Sequence, residues 1–133
     1  MPSTPDEKNS LYEYAVIRYV PSIEREEFVN IGLIMMCKRR GWLRVELAID
    51  PVRIQALFPE ADLALLSAQA RSFERVGLAM PGAGPIAQMP AHERFRWLTA
   101  VRSACLQTSR PHPGLCADLD ATFSRLFASM VLL

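Results

Sequence analysis

The 133-residue chain predicts an α+β fold, a small antiparallel sheet with helices packed on one face, and three observations carry that reading. Tyr12 to Ile49 is a run of three consecutive strand-like segments. The links between them are too short for the crossover that parallel pairing requires. After Asp50-Pro51 the apolar spacing changes from a strand period to a helical one.

The first strand is expected from Leu11 to Val20, a β-branched and aromatic run that ends at Pro21. Phe28 to Cys37 is almost continuously apolar, as a central strand covered on both faces would be. Trp42 to Ile49 alternates, with Leu43, Val45, Leu47 and Ile49 opposite Arg44, Glu46 and Ala48, so it reads as an edge strand with one wet face. Lys38 to Gly41 is the hairpin loop, with Gly41 taking a positive φ. Together these segments form a three-stranded antiparallel meander, and Ser103 to Ser109 is expected to add a fourth strand.

Asp50 caps a brief helix that stops at Pro59. Asp62 caps a longer one, 62–76, whose stripe is Leu63, Leu66, Ala70 and Phe73 and which Gly77 ends. Leu78 to Gly84 reads as a flexible loop, Pro90 opens a segment with Phe95 and Leu98 inward, and 118–131 forms the last helix. The latter packs beside 62–76. Residues 1–10 read as a flexible tail before a single domain, 11–133.

Composition bounds the function. Net charge is +1, which argues against nucleic acid as a partner. No apolar run nears the ~18–20 residues that cross a bilayer, and MPSTPDEKNS lacks the pattern of a signal peptide. Cys37, Cys105 and Cys116 form an odd set without CxxC spacing, which points to reduced thiols and a cytoplasmic protein. There is no phosphate loop, metal-ligand set or nucleophile motif, so no cofactor is implied. A first strand left at the sheet edge would allow a homodimer by pairing across a two-fold axis.

The blocks YAVIRYVPSIEREEFVNIGLI, ALFPEADL, PIAQMPAHERFRWLTAVRS and HPGLC, in that order and spacing, resemble a bacterial family known as domain of unknown function 3037. The resemblance implies a small stand-alone bacterial protein with no established activity, and a partner in a HipA-like kinase.

Six residues are candidates for binding an anionic small molecule or an acidic partner segment: Arg18, Asn30, Arg96, Trp97, Arg102 and His112. Arg18 interrupts an apolar strand and must snorkel, pair or bind an anion; Glu24, Glu26 and Glu27 are the nearest acids for an internal pair. Asn30 and Gly32, read as sharing a face, make a notch in the second strand, the alternative being a β-bulge with Asn30 held by neighbouring main chain. Arg94, Arg96 and Arg102 with Trp97 resemble a phosphate or nucleotide site, against a solvated helix face with a half-buried Trp. His112 and Cys116 offer two metal ligands or a Cys–His pair, against a turn histidine and a small thiol. In the favoured reading these residues line one pocket of a non-enzymatic binding or regulatory domain. The alternative is a metal-dependent phosphoester hydrolase or nuclease with Glu26, Glu27 and Asp50 as ligands.

Overall fold

β-Branched and aromatic residues without a glycine give the longest strand, β1 (Ser10–Ser22). The computed structural model of the chain describes residues 9–100 and 104–132. The expected tail, 1–10, lies outside the described residues except at its end, where Ser10 already belongs to β1 and is buried. A short turn of 3-10 helix, Ile23–Arg25, leads into β2 (Glu27–Cys37), and the Lys38–Gly41 loop leads into β3 (Trp42–Leu47). Gly41 has φ +59°, and its N–H donates to the Lys38 carbonyl at 3.1 Å. The antiparallel meander forms as expected.

The other edge of β1 is taken by two short strands placed end to end. β4 (Leu106–Thr108) pairs with Ile17, Arg18 and Tyr19, and β5 (His112–Cys116) pairs with Ser10 to Tyr14. Between them Pro111 cannot donate to the ladder, and Ser109 bridges the gap. Its N–H donates to Val16 O at 2.8 Å, and its Oγ accepts from Val16 N at 2.9 Å. The sheet order is β3-β2-β1-β4, with β5 also on β1. β1 is therefore an interior strand, which removes the exposed first strand on which a homodimer was expected.

HPGLC is a strand, not the turn that Pro-Gly suggested. Pro113 is tolerated because β5 is an edge strand. Gly114 is needed because a Cβ there would lie 2.3 Å from the Tyr12 hydroxyl, whose ring crosses it.

Helices α1 (Pro51–Leu57), α2 (Leu63–Gly77), α3 (Ala91–Leu98) and α4 (Leu119–Met130) complete the order. The caps follow the sequence: Asp50 Oδ1 accepts from Val52 N and Arg53 N, and Asp62 Oδ1 accepts from Leu65 N. Ile54, Leu66, Phe73, Phe95 and Leu98 of α1 to α3 join Ala15, Ile17, Ile34 and Val45 in one core. Leu119, Phe123, Leu126 and Phe127 of α4 join Tyr12, Leu33, Met35 and Cys37 in another. The α+β class holds, but the helices divide: 62–76 and 118–131 lie on opposite faces rather than together. The cause is β2, whose residues Val29 and Ile31 to Cys37 are all buried; a strand apolar on both faces needs cover on both.

A β-bulge sets the polar positions. Ile17 pairs with Gly32 and Arg18 with Asn30, so Ile31 is the extra residue. Asn30 and Gly32 consequently point to opposite faces, which corrects the shared notch. The bulge reading is the one that forms, because Asn30 Nδ2 donates to the Met130 carbonyl at the end of α4 at 3.1 Å.

Candidate functional site

Alternation along β1 sends Ala15, Ile17 and Tyr19 into the core beneath α1 to α3, and Tyr14 and Val16 toward α4. Arg18 shares the parity of Tyr14 and Val16. Its cross-strand neighbours are Asn30 on β2 and Gln107 on β4. Asn30, Arg18 and Gln107 thus form one half-buried polar row across three strands, beginning beside the end of α4.

Arg18 is set apart by what it lacks. Among the described residues no carboxylate reaches it, and its Nε is buried with no hydrogen-bond partner. Its guanidinium lies over the ring of Phe28, 4.0 Å from the centroid, and Phe28 is itself 45% exposed. Burial pulls the Arg18 pKa down from its ordinary value, with no acid opposing the effect. The expected internal pair with Glu24, Glu26 or Glu27 does not form. Glu27 instead accepts from Arg25 Nε at 2.9 Å and Nη2 at 2.5 Å, because two side chains flanking a tight turn meet more readily than one deep in the sheet.

The remaining candidates fall into three places. His112 stands near the row on the same face, at the start of β5, with its ring 5.3 Å from that of Tyr14, its cross-strand partner. Arg96 lies on the other face of the sheet. There it is held in a two-pronged ion pair by Glu13, with Nη1 to Oε1 at 2.8 Å, and that bond raises its pKa. Trp97, the next residue, is half-exposed on α3, as a solvated helix face requires. Arg102 lies outside the described residues. The single pocket expected for all six therefore divides: Arg18, Asn30 and His112 are brought onto one face, and Arg96 and Trp97 onto the other.

Arg94 is also committed elsewhere. Its Nε donates to Gly77 O at 3.3 Å and its Nη1 to Met89 O at 2.6 Å, tying α3 to the end of α2. Glu26, Glu27 and Asp50 make no ligand set, since no group of three His, Cys, Asp or Glu converges among the described residues. Asp50 is spent on the cap of α1 and Glu27 on Arg25. His112 and Cys116 sit four residues apart along a strand, roughly 13 Å, so the histidine cannot activate that thiol.

Gln107 and Phe28 are the members that sequence reasoning left out of the site. Gln107 was visible only as one polar residue in a weak fourth strand, and nothing local to it announces that its strand pairs with β1 at Arg18. A phenylalanine beside the bulge gave no sign that its ring would carry a guanidinium.

A family model described as a protein of unknown function, DUF3037, matches residues 14–131. The chain belongs to that family. No curated protein and no solved structure matches it. In this DUF3037 member no helix among the described residues is long and apolar enough to cross a membrane.

One cysteine in the DUF3037 chain has a defined state. Cys105 donates its S–H to Gln69 Oε1 at 2.7 Å, and burial pushes its pKa up. Since only the thiolate is nucleophilic, native Cys105 should react with iodoacetamide at pH 8 several-fold more slowly than the same residue in the denatured chain. Mass spectrometry of the labelled peptide measures this, and equal rates would show that the thiol is not shielded.

Proposed function

We propose that the chain is a non-enzymatic binding domain whose Asn30–Arg18–Gln107 row takes an anionic ligand or an acidic segment of a partner. The observation that supports this reading is the unpaired guanidinium of Arg18. Charges taken out of water are normally paired, and among the described residues this half-buried one meets no carboxylate. The Arg18 guanidinium stands 4.0 Å over the Phe28 ring, and its Nη groups would meet an incoming oxygen pair as arginine binds carboxylate or phosphate, with two parallel bonds. His112 and Tyr14 flank the same strip. Under this reading the HipA-like kinase implied by the family resemblance would dock through an acidic segment.

Arg18→Met is the test, because it keeps the length and apolar stem of the side chain while removing the charge. Calorimetric titration of the wild type with glutarate and with inorganic phosphate is expected to give a signal that the variant loses by about tenfold or more. The variant's melting temperature should stay level or rise, since a desolvated group without a partner has been removed. Unchanged binding, or a steep loss of stability, would mean that Arg18 serves the fold instead.

A further inference from the structure

The two amides beside Arg18 narrow the class of ligand, an inference that rests on the anion-binding reading above. Asn30 spends its Nδ2 on Met130 O at 3.1 Å, and Gln107 its Nε2 on Ala104 O at 2.7 Å. Each amide therefore keeps one N–H and its carbonyl oxygen, a donor and an acceptor side by side. A phosphate bound to Arg18 brings chiefly acceptors, so it can use the two remaining N–H groups but leaves the two carbonyl oxygens unserved. A carboxylate whose carrier also brings N–H donors satisfies the guanidinium and the amides together, and such a carrier is a peptide.

The strand that carries Gln107 offers that peptide a place to lie. β4 pairs with β1 alone. Ser109 turns its N–H to Val16 on β1, so antiparallel alternation turns the main-chain groups of Thr108 and Leu106 outward. No described strand meets them. Behind this edge, on the α2 and α3 side, is a cavity of about 340 Å³, largely apolar, walled by Phe73, Trp97, Leu98, Ala104 and Leu106. An unpaired strand edge thus has an unpaired cation on one side and an apolar recess on the other.

We propose that an extended acidic segment of a partner protein adds to β4 as a sixth strand of the sheet. Its main chain pairs with Leu106 and Thr108, one carboxylate reaches over Gln107 to Arg18, and the next side chain, apolar, enters the recess. The alternation is that of any strand, whose successive residues point to opposite faces. The span from the new strand to β1 is two strand spacings, roughly 9–10 Å; to meet the glutamate, the Arg18 guanidinium leaves the Phe28 ring, which stands on the β2 side, and swings toward β4.

The probe is a synthetic hexapeptide alternating Glu and Leu with both ends capped, titrated calorimetrically into the full chain beside three controls. These are glutarate, inorganic phosphate, and the same peptide N-methylated on the amides that would face β4. The capped peptide should bind at least about tenfold more tightly than glutarate or phosphate, and N-methylation should remove that advantage. Ala104→Phe, which fills the recess, should weaken the peptide and leave glutarate unchanged. Equal binding of the N-methylated peptide, or phosphate binding best, would overturn the added strand while Arg18-dependent glutarate binding kept the anion reading. Loss of any Arg18-dependent signal would end both. A dimer in sedimentation that the peptide fails to dissociate, with wild-type β4 inaccessible to the probe, would assign the edge to a second copy and overturn the proposal.

Discussion

Phe95→Ala should remove about 3–5 kcal/mol of unfolding free energy, the range for deleting a fully buried phenylalanine. The ring has no exposed surface and lies at the centre of the core that α1 to α3 form with β1 and β2. α3 has only eight residues, too few to be stable without tertiary packing, and Phe95 and Leu98 are the large side chains it buries. The cavity left behind would be lined by the sheet on one side and Leu66 and Phe73 on the other, neither free to collapse into it. Since single domains hold about 5–15 kcal/mol in total, the variant should sit near its unfolding midpoint in modest urea. Trp97→Ala on the same helix is the control. Trp97 is 44% exposed, so truncation there removes only part of a buried side chain and should cost about 1–2 kcal/mol, and equal costs at the two positions would mean that α3 is not seated as described. The consequence reaches the recess behind β4, because Trp97 and Leu98 wall it and Phe95 holds the helix that carries them.

What was legible in the sequence was local. Alternation in Trp42 to Ile49, the continuous apolarity of Phe28 to Cys37, and the caps Asp50 and Asp62 each depend on a few neighbouring residues, and each element forms there, the third strand ending two residues early at Leu47. The failures are long-range. The stripe of Leu119, Phe123, Leu126 and Phe127 says that α4 buries a face but not which side of the sheet receives it. The run from Val29 to Cys37 held that answer, since a strand buried on both sides requires two helical layers. Ile31 could not be seen as a bulge, because V-N-I-G-L-I is equally regular in either register; one inserted residue then reversed the relation of Asn30 to Gly32. For the arginines, proximity in sequence misled. Arg18 has four glutamates within nine positions and pairs with none of them, while one of the four, Glu13, is taken by Arg96 at a separation of 83 residues. The residue types of the candidate site were therefore readable in part, and their grouping was not.

Gly32, next to the bulge, is constrained by the main chain of β3. A Cβ at this position would stand 2.7 Å from the Glu46 carbonyl oxygen and 2.7 Å from Leu47 Cδ2. The leucine tip can rotate away, but the carbonyl belongs to β3, so it can move only if the edge strand moves. Gly32→Ala is therefore expected to destabilise by about 2–3 kcal/mol, the upper part of the overpacking range, even after the few tenths to 1 kcal/mol that alanine gains through a stiffer unfolded chain. Adding Leu47→Ala separates the two contacts. If the side chain were the obstacle, the double variant would recover; because the main chain is, urea denaturation should find it no more stable than Gly32→Ala alone. Recovery would locate the strain in packing and leave β3 free to slide. Without recovery, the close approach of β2 to β3 is what fixes the register on the side of Gly32 toward β3. That register in turn sets where Ile31 bulges and places Asn30, rather than its neighbour, opposite Arg18.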